Sequence, residues 1–184
     1  MITFGHSLFF MYLRNEKLYL RAPEPEDLDL VYEWENDTSL WEVGETFAPI
    51  SRFILKKYID QSHLDIFQTQ QVRFMISLQE HRYPALGSVD LFDFDPFHLR
   101  AGIGILIDRR HRNKGYAHTA LNLTIEYAQH VLGLQQLYCH IGTQNHPSLK
   151  LFEAAGFEIN GLKKGWMKQG QSWSDVHFLQ KILR

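Results

Sequence analysis

Between Asp108 and Leu121 the chain reads DRRHRNKGYAHTAL: Arg109, Arg110, Arg112 and Lys114 crowd ahead of Gly115, and a helix-like pattern follows. Basic side chains beside a glycine at a helix start suit the holding of an anion. The first turn of a helix presents backbone N–H groups without intrahelical partners, with the positive end of the dipole behind them. The missing Cβ of Gly115 lets a ligand approach the backbone closely. Arg112 and Lys114 would add mobile charge around a diphosphate. A solvated basic loop is the competing reading, and it suits Arg109 and Arg110 best. Neither G-x-x-x-x-G-K-[ST] nor G-x-G-x-x-G occurs, which disfavours a nucleoside triphosphate or a dinucleotide.

Other reactive residue types carry less. The single cysteine, Cys139, sits in the apolar run LQQLYCHI, where a buried strand cysteine is expected rather than a nucleophile. It excludes an intramolecular disulfide and points to a reducing compartment. Ten histidines show neither HExxH nor paired Cys/His spacing, so no metal is expected. With 19 basic against 21 acidic residues, the net charge of −2 disfavours nucleic acid, whose phosphates need a basic face. The N-terminal apolar stretch has no Lys or Arg before it and is too short to span a bilayer. No membrane partner and a cytoplasmic location are therefore expected. Fold-like patterning begins near Lys17, so residues 1–16 read as an extension, with Met11 as an alternative start.

The elements that would position these residues follow from periodicity. At 184 residues the chain fits one domain with a real core. LYLRAP reads as a strand. EPEDLDLVYEWEND reads as a helix with Pro25 in its first turn and Leu28, Val31 and Tyr32 on one face. A second helix begins at Ser51, with Ile54, Leu55, Tyr58 and Ile59 as its apolar side. QVRFMISL, ALGSVDLFDF and AGIGILI are strands joined by short links, hence antiparallel; Val89 and Leu91 share one face, Asp90 and Phe92 the other. A helix from Ala117 stops at Gly133, LQQLYCHI is the next strand, and NHPSLKLFEAAGF is a helix ending at Gly156. Two strands joined across Gly170 close the chain. The fold class is α/β with a mostly antiparallel sheet.

Two stretches then carry a resemblance. Arg112-Asn113-Lys114-Gly115-Tyr116-Ala117 resembles the [RQ]-x-x-G-x-[GA] signature of the GNAT superfamily of acetyltransferases, which holds the acetyl-CoA pyrophosphate between a strand and a helix. Asn145-x-x-Ser148-x-x-Leu151-Phe152-x-x-x-Gly156-Phe157 is similar to the second signature, whose Asn contacts the pantetheine arm. The resemblance covers about Leu18 to Leu183. LRAPEPEDLD is typical of the branch holding spermidine and ribosomal-protein-alanine N-acetyltransferases. It implies a single-domain GNAT-like fold of mixed, mostly antiparallel sheet flanked by helices. It implies acetyl-CoA as cosubstrate, held by Ile105, Leu106 and Ile107 of the preceding strand, by Arg112, Asn113, Lys114, Gly115, Tyr116, Ala117 and His118, and by Asn145 and Ser148. The branch often forms homo-oligomers, so self-association is an expectation.

The sequence departs from the family at two catalytic positions. The strand before the loop reads Ala101-Gly102-Ile103 where many relatives carry a proton-relaying Glu at the second position. Phe152 occupies the position of the Tyr that protonates the departing thiolate. Replacement bases among the residues are Asp90 or Asp93, His140, or a water chain. Glu42 and Glu45, in the loop between the first two helices, are the candidates for binding a cationic acceptor, with Trp41, Phe47 and Phe92 as pocket walls or core. The acceptor expected is a small-molecule or peptide amine: a polyamine such as spermidine, or a protein α-amine of the ribosomal-protein-alanine type. A CoA-binding protein with little catalysis stands as the alternative.

Overall fold

Alternating apolar residues build the first four strands of the computed structural model, which describes residues 11–39, 48–62, 64–81 and 83–183. Strands β1 (Leu18–Arg21), β2 (Val72–Leu78), β3 (Gly87–Asp95) and β4 (Arg100–Ile107) each pair antiparallel with the next. The register sets Leu20 against Ile76, Phe74 against Val89 and Leu91 against Ile103, and all six side chains are buried. Each such burial is worth about 1.5–3 kcal/mol. The period of two leaves Asp90 and Phe92 half-exposed on the opposite face.

By their contacts the residues separate into two units. The first contains β1 to β4, the short helix α3 (Ile66–Thr69), the helix α4 (Tyr116–His130) and the first two residues of β5 (Gln136–Gly142). α4 packs on β1, β3 and β4 through Ala120, Leu121, Thr124, Ile125 and Ala128. Thr124 sits among them because its hydroxyl donates to the Ala120 carbonyl at 2.9 Å, so no polar atom is stranded. The first unit also reaches further back than Lys17. Leu20 N donates to Leu13 O at 2.7 Å, Asn15 Oδ1 accepts from Lys17 N and Leu18 N, and Tyr12 stacks on His130 at 5.0 Å. An asparagine turn leaves no hydrophobic period, which is why patterning missed it.

The second unit, Glu24–Gln61 with Tyr138–Lys181, holds α1 (Leu28–Glu35), α2 (Arg52–Asp60), α5 (His146–Ala154), β6 (Glu158–Gln169) and most of β7 (Ser172–Ile182). The acidic first turn is a separate 3-10 turn, Pro25–Asp27, in which Glu24 and buried Asp27 cap each other reciprocally. Ser51 caps α2, its Oγ accepting from Ile54 N. Leu55 and Ile59 are buried, but Ile54 is 53% exposed, so the apolar stripe is narrower than the sequence suggests. β6 and β7 pair antiparallel across Gly170, and the strand order in this unit is β5-β7-β6. No helix among the described residues is long and apolar enough to cross a membrane.

Candidate functional site

The basic loop is built by backbone conformation as much as by charge. Asp108 closes β4 in a buried position, 6% exposed, and its Oδ1 accepts from the backbone N–H of Arg110 at 2.9 Å and from Arg110 Nε at 2.8 Å, while Arg110 Nη2 donates to Oδ2. Arg110 therefore neutralises a buried carboxylate at the end of the strand while its own side chain stays 61% exposed. Arg112 Nε donates to the Ile107 carbonyl at 3.0 Å and its side chain stays exposed. Asn113 (φ 61°) and Gly115 (φ 79°) both take left-handed backbone conformations, and Gly115 is the N-cap of α4. Such alternation turns successive N–H groups into a concave cradle for an anion. A Cβ on Gly115 would meet nothing within 4 Å. Protein packing does not require the glycine; the positive φ does, and it leaves open space in front of the helix start. Lys114 is exposed, Tyr116 and Ala117 are half-buried in the first turn, and His118 stands beside Asn122 on the exposed side. Ile105, Leu106 and Ile107 are half-buried at the end of β4.

In the second unit Asn145 is the N-cap of α5, its Oδ1 accepting from Ser148 N at 3.3 Å. Pro147 occupies the first turn, where its missing N–H has no helical role. Phe152, 4% exposed, packs edge-on against Phe157 with ring centroids 5.0 Å apart.

Two of the candidate bases, Asp90 and His140, are held by a cation. Asp90 Oδ1 accepts from Arg73 Nε at 2.6 Å, and Oδ2 from Arg73 Nη2 at 3.3 Å across the β2–β3 pair. Asp93 lies exposed in the bulge of β3 with φ 49°. His140, exposed on β5, has its Nε2 2.8 Å from Lys163 Nζ. Gly102 lies opposite Phe92, whose ring would be 2.3 Å from a Cβ at that position. An aromatic ring thus lies over the glycine and fills the space a side chain would need. Cys139 is buried, and that burial pushes its thiol up to about 12, which removes it as a nucleophile. Among the described residues no cluster of three or more His, Cys, Asp or Glu could hold a metal. Trp41, Glu42, Glu45 and Phe47 lie outside the described residues.

The sequence matches the family model of the acetyltransferase (GNAT) domain over residues 17–158, a span that contains both the cradle and the α5 cap. The chain belongs to the GNAT acetyltransferase family. Acetyl transfer from acetyl-CoA to nitrogen is its chemistry. Among its GNAT relatives, spermidine N(1)-acetyltransferase of Vibrio cholerae is 27% identical over 80% of this chain and 82% of its own. The Escherichia coli K12 spermidine N(1)-acetyltransferase is 29% identical over 77% and 73%. The crystal structure of the Vibrio cholerae spermidine N-acetyltransferase with CoA and spermine superposes with a TM-score of 0.82 at 24% identity, over 92% of this chain and 97% of that one. At that identity the likeness establishes a common GNAT fold, α/β with a mostly antiparallel sheet flanked by helices.

Within the GNAT frame, the first departure from the family pattern has a packing counterpart. The Phe92 ring covers Gly102, and a side chain at that position would need the same space. Asp90 lies opposite Gly104 and on the same face as Phe92, one cross-strand pair from Gly102, so β3 carries a carboxylate near the place where β4 lacks one. Sequence reasoning singled out Asp90 as a candidate but not its partner Arg73, nor Lys163, nor the Phe92–Gly102 pair. Only the alternation of single charges in apolar strands (VRFMISL, SVDLF) hinted at the first.

Proposed function

We propose that this GNAT protein acetylates a primary amine of a polyamine such as spermidine. The cradle at the start of α4 is the observation that carries the cofactor half: two left-handed residues, Asn113 and Gly115, open onto unoccupied space beside Arg112 and Lys114. The two spermidine acetyltransferases, 27% and 29% identical over more than three quarters of the chain, support the acceptor half. In the same reading Arg112 to His118 hold the pyrophosphate, and Ile105, Leu106 and Ile107 run beside the pantetheine arm, which Asn145 and Ser148 contact. Phe152 lies beside the thioester sulfur, and Glu42 and Glu45 attract the distal ammonium groups of the acceptor.

An amine must lose its proton before it attacks. With a pKa of ~10.4 all but roughly 0.04% is protonated at pH 7, a deficit of about 4–5 kcal/mol. Asp90, already accepting from Arg73 on both oxygens, takes this proton through water. His140 is set aside for the acceptor, because its Nε2 lone pair already receives a hydrogen bond from Lys163. With Phe152 unable to donate, the CoA thiolate leaves as an anion or takes the amine's proton. The covered Gly102 favours a second acceptor class, a protein α-amine, whose pKa of ~8 leaves a deficit of only about 1 kcal/mol.

Thiol release measured with acetyl-CoA and either spermidine or an Ala-starting peptide separates these readings. The expected result is a higher kcat/KM for spermidine, with salt narrowing the gap as it screens the acceptor's charges. Preference for the peptide replaces the polyamine by the α-amine. CoA binding without release from any amine replaces catalysis by a binding role. The family match running across both units supports one acetyltransferase domain over residues 1–184. A single cysteine supports a cytoplasmic setting. A dodecameric spermidine N-acetyltransferase from Vibrio cholerae, TM-score 0.76, supports a homo-oligomer, which sedimentation velocity tests.

A further inference from the structure

We propose that Lys163 is itself an acetylation site, with His140 as the base that frees its amine. The proposal takes from the acetyltransferase reading only the acetyl-CoA that supplies the group. On β6, Lys163 faces Val176 of β7, and its Nζ lies 2.8 Å from His140 Nε2 on β5. An ammonium has only donors, so the imidazole nitrogen is the acceptor and the ring proton sits on Nδ1. That is the arrangement of a nucleophile and its base before proton transfer. Both partners are held. The His140 ring lies 5.3 Å from Phe178 and 5.9 Å from Tyr138, and Lys163 Nζ sits 4.4 Å from the centre of the Trp166 ring. A long lysine side chain is ordinarily free to sample many rotamers; here an aromatic face and a ring nitrogen fix its tip.

The Nζ proton passes to His140 Nε2, and the freed lone pair attacks the thioester carbonyl of acetyl-CoA. The N–C bond forms, the C–S bond breaks, and the electron pair leaves on sulfur as CoA thiolate. The second proton lost from Nζ neutralises the thiolate, and His140 returns its proton to water. Acetylation removes the charge of Lys163 but keeps one N–H for His140. The strand supplies its own comparators. Lys164 and Lys168 are exposed on the same β6.

The test is incubation of the full chain with acetyl-CoA and no acceptor, with fragment mass spectrometry reading each lysine over time. Lys163 should acquire acetyl at least ~10-fold faster than Lys164 and Lys168, a threshold set below the ~10²–10⁴-fold that a positioned base typically contributes. His140→Gln keeps an acceptor for the ammonium but cannot take its proton, and His140→Phe keeps the aromatic packing. Both should bring Lys163 down to the rate of its neighbours. Equal labelling of the three lysines in the wild type overturns the proposal, as does an unchanged Lys163 rate in the two variants. Thiol release with spermidine, measured on the same samples, reports the acceptor reading separately. Turnover without preferential Lys163 labelling removes this proposal alone, and preferential labelling without turnover leaves it standing.

Discussion

Phe152 differs from the family tyrosine by one hydroxyl, and its surroundings set what that hydroxyl would do. The ring is 4% exposed and edge-on to Phe157. In the protein without acetyl-CoA, Phe152→Tyr should lower stability by about 1–3 kcal/mol in urea unfolding, the usual penalty for an unsatisfied buried hydroxyl. In the proposed site the same hydroxyl would have the acetyl-CoA sulfur to donate to, and kcat should rise ~3–10-fold, below the range of an evolved general acid. Unchanged kcat with normal acetyl-CoA binding would mean that thiolate departure is not limiting. Asp95 tunes the acid response. The His98 backbone N–H, at 2.9 Å, is the main cause that holds its carboxyl below the usual range, with smaller help from the His98 charge, the Phe97 N–H and Arg100. A folded pKa below the unfolded one gives stability that is present above the unfolded value and lost as pH falls through the folded value. The urea midpoint should therefore drop as pH is lowered below about 4, and Asp95→Asn should flatten that drop. An identical acid slope in the variant would remove Asp95 from the acid response.

At the level of elements, the exchange between β3 and β4 is the feature to test. A Glu at position 102 restores the family carboxylate but puts its Cβ 2.3 Å from the Phe92 ring. Gly102→Glu alone should destabilise by about 1–3 kcal/mol, as overpacking does. Combined with Phe92→Ala, the loss should fall short of the sum of the single changes by about 1 kcal/mol or more, because the two positions share one space. The double variant should also show higher kcat for spermidine than Phe92→Ala alone. Strict additivity in urea would mean that the ring does not hold position 102 closed. Sequence patterning found β3, β4 and their antiparallel sense, since each run alternates or is continuously apolar. It did not find which residue stands opposite which, because register is fixed by pairing between strands and leaves no trace within either one.

For the whole molecule, ligand linkage gives the simplest check. Acetyl-CoA at 100 times its Kd should add about 2.7 kcal/mol to native stability, a Tm rise of roughly 5–11 °C for a chain of this size. Gly115→Val should abolish that rise. It should also lower the unliganded stability by about 1–2 kcal/mol, because a branched residue is forced into the left-handed region. A variant with unchanged Tm response would place the pyrophosphate elsewhere.

The sequence alone determined the strand–loop–helix order around Gly115, the capped α5, the antiparallel strands and the absent family Glu and Tyr. These are local properties: periodicity, turn chemistry and residue identity at fixed spacing carry them. Tertiary structure decided what each charged group is for. Arg110 belongs to buried Asp108, Arg73 to Asp90, and Lys163 to His140. Two of these three pairs join different strands, 17 and 23 residues apart, and no single stretch of chain encodes them. Gly102 likewise reads in the sequence as a lost catalytic residue. In the fold it is the floor beneath Phe92, because a ring on β3 and a side chain on β4 cannot fill the same volume.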